Sequence, residues 1–281
     1  MILLGITGPI GHGKSTLADF LVEQEPQSRQ AETSQVIAEV ADRLNTFFAR
    51  EAPTELDLHT VNQWLQHLPA ILEAVTHTHI PQEKVVLLEQ DVTSSPQDYQ
   101  KLWEYIYEAR HNPKLTIEHI NAANKGAYRA LLQWLGGYFV THVDRGIWYN
   151  ELVRRARHAE TEGCKLFVIG GVRFPGDAEI VRAAKGRIIG INRPGVVELD
   201  QRDPTERERS KIRPDALVLN NGSLAQLEAI ARELYADLLG DELRKQYATK
   251  KQLPTHSFSQ GTNRTSKTSK TASVGNKTIT P

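Results

Sequence analysis

A glycine-rich segment near the amino terminus has the residue types and the spacing needed to surround a phosphate group. Residues 8–15 read GPIGHGKS and match the pattern G-x-x-x-x-G-K-[ST] at every fixed position. Because glycine has no Cβ, the backbone N–H groups around Gly8, Gly11 and Gly13 can turn toward one anion. A helix that begins near Lys14 would point the positive end of its dipole at the same anion. These residues therefore predict a phosphate-binding loop, called the phosphate loop below.

Four side chains toward the end of this loop are assigned to ATP and Mg²⁺. We expect the Lys14 ammonium to reach the β- and γ-phosphates as a catalytic group, and the Ser15 hydroxyl to bind the metal ion. Thr16 belongs to the same predicted nucleotide-binding set. His12 occupies a free position of the pattern, so we expect an exposed side chain that could also touch a phosphate.

The segments on either side of the loop have the patterns of a strand and a helix. Residues 2–7 form a short apolar run, which predicts an interior parallel strand, and residues 15–23 begin a helix. This order is the context in which such loops occur. A GTPase would also need an N-K-x-D motif; residues 124–127 read NKGA and lack the aspartate, so the sequence does not favour that class.

Composition excludes several other classes. The chain has 281 residues, 40% hydrophobic and 24% charged, which suits a globular α/β domain with insertions. Its 34 basic residues balance 34 acidic ones, so it has no overall basic field for nucleic acid. The single cysteine, Cys164, excludes an internal disulfide and is expected to be buried. We expect a cytoplasmic protein without membrane contact, because the apolar segments are too short to cross a bilayer and the first one resembles a strand more than a signal peptide.

The middle of the chain is helical in pattern and its second half alternates between strands and helices. We predict one α/β domain over 1–240 with a helical insertion at about 50–125, and a disordered basic tail rich in Ser, Thr and Lys over 241–281. Ser34 and Ser223 are expected to cap helices. For the tail, free solvation is favoured over contact with nucleic acid. The remaining expected helices are 34–49, 60–75, 97–110, 125–139, 144–160 and 177–185, and the strands 166–169, 187–192 and 216–219, with another possible at 84–88.

Several stretches in the second half, taken together with the phosphate loop, resemble the phage-type deoxynucleoside monophosphate kinases, which are relatives of the dephospho-coenzyme A kinases. Those proteins show a strand ending D-V-R-F-P-N-E, then R-P-G, an H-x-S-E arm and P-D-x-x-I-x-N-x-G. Residues 128–133, Gly136 and Trp148 also resemble the helical segment that precedes these motifs. The matching stretches here are VIGGVRFPGDAE at 168–179, IGINRPG at 189–195, DPTER at 203–207 and IRPDALVLNNGS at 212–223.

The resemblance implies an α/β fold of the P-loop kinase type, with a parallel sheet flanked by helices, a helical insertion and a mobile lid at about 193–213. It implies ATP-dependent transfer of a phosphoryl group to a (deoxy)nucleoside monophosphate, with Mg²⁺. Two alternatives remain open: a dephospho-coenzyme A kinase or another small-molecule P-loop kinase, and a nucleotide-binding relative without transferase activity. The oligomeric state is not indicated.

The chain departs from the family pattern at three places. The strand-end aspartate of the family is Gly171 here, which motivates the inactive alternative unless another carboxylate such as Asp177 substitutes. The histidine and serine of the lid motif are Asp203 and Thr205. The family's G-T-E is GGY at 136–138.

Arginines are assigned to the phosphates because the planar guanidinium group binds phosphate oxygens in pairs. Arg173 and Arg129 are expected to hold the acceptor phosphate as catalytic residues, and Arg193, Arg207 and Arg213 to act on the ATP side or in lid closure. A monophosphate with a second pKa of about 6 is mostly ionised at neutral pH. The absence of an obvious catalytic base is therefore compatible with a phosphate acceptor.

Overall fold

The computed structural model describes residues 1–51, 58–84, 120, 124, 126, 128–196 and 204–251. Contacts divide the chain into two compact units, residues 1–242 and residues 243–281. The first unit contains the sheet and the helices that position the site. The second is described only through helical residues that end at Lys251.

Five parallel strands form one sheet in the first unit. The central strand β1 pairs with both neighbours, with Leu4 opposite Val168 on one side and Gly5 opposite Ile188 on the other. Since the strands are parallel, their carboxyl ends lie along one edge, called the carboxyl edge below, where ligands bind in open α/β sheets. The strand order is β2-β3-β1-β4-β5, and the strands are β1 (Ile2–Thr7), β2 (Ser28–Glu32), β3 (Leu166–Gly170), β4 (Arg187–Asn192) and β5 (Ala216–Leu219).

Helices cover both faces of this sheet. One face, which carries Leu4 and Ile6, packs against α1 and α8. The other face, which carries Leu3, packs against a larger cluster built from α2 to α6. Burial on both faces explains why β1 is a continuous apolar run. The described helices are α1 (Lys14–Glu23), α2 (Thr33–Glu51), α3 (Leu58–Thr76), α4 (Arg129–His142), α5 (Ile147–Thr161), α6 (Pro175–Ala183), α7 (Pro204–Arg209) and α8 (Leu224–Lys251).

This architecture confirms the predicted fold class, a parallel sheet flanked by helices, but it contains a strand that the sequence analysis missed. Strand β2 reads SRQAE, and only Ala31 in it is buried. It lies at the edge of the sheet and pairs with β3 alone. An edge strand with mostly polar residues has no apolar run, so the pattern that revealed the other strands was absent here.

Most helix ends lie one to four residues from the expected positions, and two of them change an expectation about a cap or the tail. Ser34 lies inside the first turn of α2, which begins at Thr33, and its hydroxyl donates to the Glu32 carboxylate at 3.1 Å. Ser223 does cap α8, since its Oγ accepts the N–H of Gln226 at 3.3 Å. Helix α8 runs to Lys251, so the expected disordered tail does not begin at 241. Residues 241–251 read DELRKQYATKK and are mostly good helix formers.

Other predictions fall partly or wholly outside the described residues. Helix α3 lies within the proposed insertion at 50–125, whereas the expected helix at 97–110 and most of the possible strand at 84–88 are outside the description, as are 197–203 and 252–281. Cys164 is buried as expected, and burial raises the pKa of its thiol. Among the described residues, no helix is both long and apolar enough to span a membrane.

Candidate active site

The phosphate loop leaves β1 at the carboxyl edge and passes against the ends of β4 and β5. A Cβ at Gly8 would lie 2.4 Å from the carbonyl oxygen of Ile191, so a larger residue would push the loop away from β4. Gly13 has φ of 95°, precedes α1, and approaches the side-chain amide of Asn220 so closely that a Cβ would lie 2.7 Å from its nitrogen. The first position requires glycine for close approach, and the second also requires it for a left-handed backbone.

The ammonium of Lys14 lies across this loop. Its Nζ donates hydrogen bonds to the carbonyl oxygens of Gly8 and Pro9, each at 2.8 Å. Lys14 is half-buried, as is Thr16, whereas Ser15 is exposed in the first turn of α1. A cation therefore stands beside the N-terminus of a helix, whose backbone N–H groups and dipole favour an anion.

His12 is buried, and the expectation of an exposed side chain was wrong. Only 1% of the residue is accessible, because it makes polar contacts with the chain that follows β4. Its Nδ1 lies 3.0 Å from Oδ1 of Asn192 and accepts the backbone N–H of Arg193 at 2.9 Å. The side-chain amide of Asn220 donates to the His12 carbonyl oxygen at 3.0 Å. These bonds attach the loop to the carboxyl ends of β4 and β5.

Asn192 and Asn220 are positioning residues to which the sequence analysis gave no role. Asn220 is buried, and its backbone N–H donates to the Asn192 carbonyl oxygen at 2.7 Å. Its place in the P-D-x-x-I-x-N-x-G segment was a signal that the position matters. The loop that it contacts is 208 positions away along the chain, and no local pattern could indicate that pairing.

A second group of polar side chains lies where β3 ends. The hydroxyl of Tyr149 donates to the carbonyl oxygen of Gly171 at 3.0 Å, which links α5 to the segment after β3. Burial, followed by the charge of the Asp177 carboxyl, raises the pKa of Tyr149 well above its usual value. Arg173 is close enough to oppose that shift. The structure therefore brings the expected acceptor residue Arg173 together with a tyrosine and a carboxyl group.

A carboxylate beside the end of β3 comes from the missed strand β2. Glu32 pairs with Gly170, and a Cβ on that glycine would lie 2.9 Å from the Glu32 Oε1 atom. Gly171, which replaces the family's aspartate, has φ of 74°, and a Cβ there would have no neighbour within 4 Å. The carboxyl edge therefore holds a carboxylate beside the position where the family pattern has one. Glu32 was missed because its strand was missed.

Asp177 lies in the first turn of α6 and caps that helix. It is buried at the start of α6, and its Oδ2 accepts the backbone N–H of Phe174 at 3.1 Å. Burial raises the pKa of the Asp177 carboxyl to about 6, although the N–H groups of Phe174 and Arg173 and the charges of Arg145 and Arg173 act in the opposite direction. Its position is that of a helix cap beside the site.

The raised pKa of Asp177 predicts that stability falls as the pH rises from about 4 to about 6. The folded state holds this proton up to about pH 6, while the unfolded chain releases it near its ordinary pKa of 3.8. A shift of about two pKa units corresponds to up to about 3 kcal/mol of unfolding free energy, lost across that window. Urea unfolding of the wild type and Asp177→Asn at pH 4, 5, 6 and 7 measures it. Parallel stability curves for the two proteins would contradict the prediction.

The expected arginines occupy several elements. Arg193 follows β4, is exposed, and is attached to the phosphate loop through its backbone N–H. Arg129 is the exposed first residue of α4, and Arg207 is exposed on α7. Within the described ranges, no hydrogen bond joins the side chain of Arg129 or Arg207 to the loop. The roles of these two residues therefore stay predictions.

Arg145 is a cation near the site that the sequence analysis did not select. The charge of Arg145 opposes the effect of burial, which raises the pKa of the Asp177 carboxyl at the start of α6. It also helps to lower the pKa of Glu208 on α7, where the hydrogen bond from Lys211 has the larger effect. It is therefore near both the group around Tyr149 and the described part of the lid segment. Arg145 follows α4 outside any motif that the sequence analysis used, so no pattern indicated that it lies near the site.

Comparisons with known proteins identify the family of this chain. A family model described as deoxynucleotide monophosphate kinase matches residues 3–230. A protein of Acanthamoeba polyphaga mimivirus, whose provisional name is deoxynucleotide monophosphate kinase, is 31% identical over 81 residues, or 28% of this chain. That alignment spans only 38% of the relative's length. Because the family match covers most of the chain and includes the phosphate loop, the chain belongs to the deoxynucleotide monophosphate kinase family.

Proposed function

We propose that the chain transfers the γ-phosphoryl group of ATP to a deoxynucleoside monophosphate, which gives ADP and the corresponding diphosphate. The observation that carries this proposal is the phosphate loop, in which the Lys14 Nζ atom lies 2.8 Å from two loop carbonyls at the start of α1. Its occurrence in a member of a nucleotide kinase family supports this reaction over other uses of such a loop. We infer that the reaction takes place in the cytoplasm.

The loop fits a triphosphate and its Mg²⁺ on chemical grounds. The Lys14 ammonium now pairs with neutral carbonyl oxygens, which an anionic phosphate would replace with stronger, charge-assisted bonds. The backbone N–H groups of Gly11, His12 and Gly13 would surround the phosphates. The exposed Ser15 hydroxyl would hold Mg²⁺, which neutralises charge on the β- and γ-phosphates when it is bound.

The chain's own residues would act by positioning and by charge. Lys14 would hold the γ-phosphoryl group as negative charge shifts during transfer, an interaction of the kind that contributes most in phosphoryl transfer. Arg173 and Arg129 would orient the acceptor phosphate, and Arg193 and Arg207 would approach from the ATP side. An ionised monophosphate attacks without a general base, so no residue needs to remove a proton.

Glu32 favours an active enzyme over the alternative of an inactive relative. Gly171 removes the family's strand-end carboxylate, but Glu32 places its own beside Gly170 on the same edge of the sheet. Its Oε2 accepts a hydrogen bond from Ser34 at 3.1 Å, which orients the group. We infer that this carboxylate supplies the negative charge that the edge would otherwise lack.

An acceptor panel tests the proposed function. ADP release from ATP and Mg²⁺ is measured with each common deoxynucleoside and ribonucleoside monophosphate and with dephospho-coenzyme A. We expect at least one deoxynucleoside monophosphate to stimulate release well above the rate without acceptor. Stimulation by dephospho-coenzyme A alone would assign the alternative kinase, and stimulation by none would overturn the proposal.

Arg173→Ala is expected to weaken acceptor binding while ATP binding changes little. A hydrogen bond to a charged group contributes about 1.5–3 kcal/mol, so the KM for the acceptor should rise about 10- to 150-fold. Arg157→Ala removes an exposed arginine from α5 and serves as the matched control. An unchanged acceptor KM in Arg173→Ala, or an equal rise in both variants, would exclude this role for Arg173.

A further inference from the structure

The buried ring of His12 connects the phosphate loop to the lid segment, defined above as residues 193–213. Its Nδ1 atom accepts the backbone N–H of Arg193, the first residue of that segment, across 181 positions of sequence. The ring is 1% accessible, although the pattern of the loop leaves this position open to any residue. A histidine here therefore makes a specific contact that the phosphate-binding pattern itself does not require.

The hydrogen bond from Arg193 determines which ring nitrogen carries the proton. A backbone N–H can only donate, so Nδ1 must present a lone pair at 2.9 Å. Asn192 Oδ1 lies 3.0 Å from the same nitrogen and cannot accept a hydrogen bond from an unprotonated Nδ1, so this contact is a hydrogen bond only when the amide is flipped and its NH₂ group faces the ring. The bond from the Arg193 N–H therefore calls for an unprotonated Nδ1 and, in the neutral ring, a proton on Nε2.

The protonated nitrogen has no hydrogen-bond partner among the residues that the structure describes. Nε2 of His12 is buried, and no protein acceptor in the described ranges reaches it. Buried donors are rarely left unpaired in folded proteins, so this unpaired N–H accompanies the orientation that turns the Nδ1 lone pair toward Arg193.

We propose that His12 is a positioning residue that supports ATP binding. As the Nε2–H tautomer, it holds Arg193, the first residue of the lid segment, against the phosphate loop. The inference rests on the proposed function, because it takes ATP to be the ligand of the loop. The Nδ1 lone pair accepts the backbone N–H of Arg193. This bond fixes the position of the Arg193 backbone, from which its side chain extends.

Two substitutions separate this role from simple filling of space. His12→Asn keeps an acceptor at the δ position, where Oδ1 can receive the Arg193 N–H, but it loses ring volume and the Nε2 donor. His12→Leu keeps apolar bulk and loses the acceptor. A positioning role predicts that leucine impairs function more than asparagine does. A role limited to packing predicts the opposite order.

The full chain is used for the test, with the Kd for ATP measured by calorimetry and the KM for the acceptor by the ADP-release assay. We expect His12→Leu to weaken ATP binding about 10-fold or more, His12→Asn to recover most of that loss, and the acceptor KM to change little in either. A Leu variant that binds ATP as the wild type does, or an Asn variant that is the weaker of the two, overturns the proposal.

The tautomer is measured independently on the wild-type protein by ¹⁵N-detected histidine NMR, with the His12 signal assigned by its loss in His12→Asn. We expect an unprotonated Nδ1 and a protonated Nε2 at neutral pH; the reverse tautomer overturns the proposal even if His12→Leu does not fold. If the wild type binds no ATP, the proposed function fails by itself. The NMR result then still decides whether the link to Arg193 has the inferred form.

Discussion

Alanine in place of Lys14 is expected to reduce phosphoryl transfer by about 10²- to 10³-fold, the range found when one preorganised donor is removed from a transition-state site. The ammonium is the cation that the structure places directly on the phosphate loop, 2.8 Å from the Gly8 and Pro9 carbonyls. Its removal leaves the backbone of the phosphate loop intact but takes away the positive charge that stabilises the transferred phosphoryl group. The rate is measured as acceptor-dependent ADP release at saturating ATP.

Lys165→Ala is the matched control for this experiment. Lys165 is exposed and immediately precedes β3, at the end of the sheet opposite to the carboxyl edge. Its loss removes the same charge and the same side chain without touching the loop. Equal activity of the two alanine variants, or a Lys14→Ala protein with wild-type turnover, would contradict the assigned role.

Gly8→Ala is expected to weaken ATP binding, because the loop that holds the phosphates must move away from β4. The added Cβ would lie 2.4 Å from the Ile191 carbonyl oxygen and 2.8 Å from its Cγ2 atom, so the loop and β4 must separate. We also expect a loss of stability of about 1–3 kcal/mol, as for overpacked interiors. Calorimetric titration with ATP and urea unfolding measure the two effects.

Gly176→Ala is the control for the glycine experiment. Gly176 is exposed in the first turn of α6, and a Cβ there would have no neighbour within 4 Å. This variant should keep both ATP affinity and stability, because alanine is the better helix former. If Gly8→Ala binds ATP as tightly as Gly176→Ala does, the close approach of the loop to β4 has no functional importance.

Local patterns were sufficient to predict the phosphate loop and its two flanking elements. The apolar run at Ile2–Thr7, the glycines and Lys14 follow one another directly, so sequence spacing determines their geometry. The later strands at Leu166–Gly170 and Arg187–Asn192 were recognisable for the same reason, since both faces of these strands are buried. Motifs made of neighbouring residues are the features that sequence alone predicts well.

Contacts between distant segments were not predictable in the same way. His12 was expected to be exposed because its position in the loop is unconstrained, yet contacts with Asn192 and Arg193 bury it. Strand β2 is polar and lies at the sheet edge, so neither it nor the Glu32 carboxylate at its end was found. In both cases the decisive neighbours come from strands far away in sequence.

Transfer of the γ-phosphoryl group itself is the most direct test of the central claim, that the loop cradles ATP while a monophosphate receives its terminal group. ATP labelled at the γ-phosphate is incubated with the protein, Mg²⁺ and each deoxynucleoside monophosphate in turn, and the products are separated. The label should move into a deoxynucleoside diphosphate with the wild type and scarcely with Lys14→Ala. Label that stays in ATP, or appears only as inorganic phosphate whichever acceptor is present, would contradict the account.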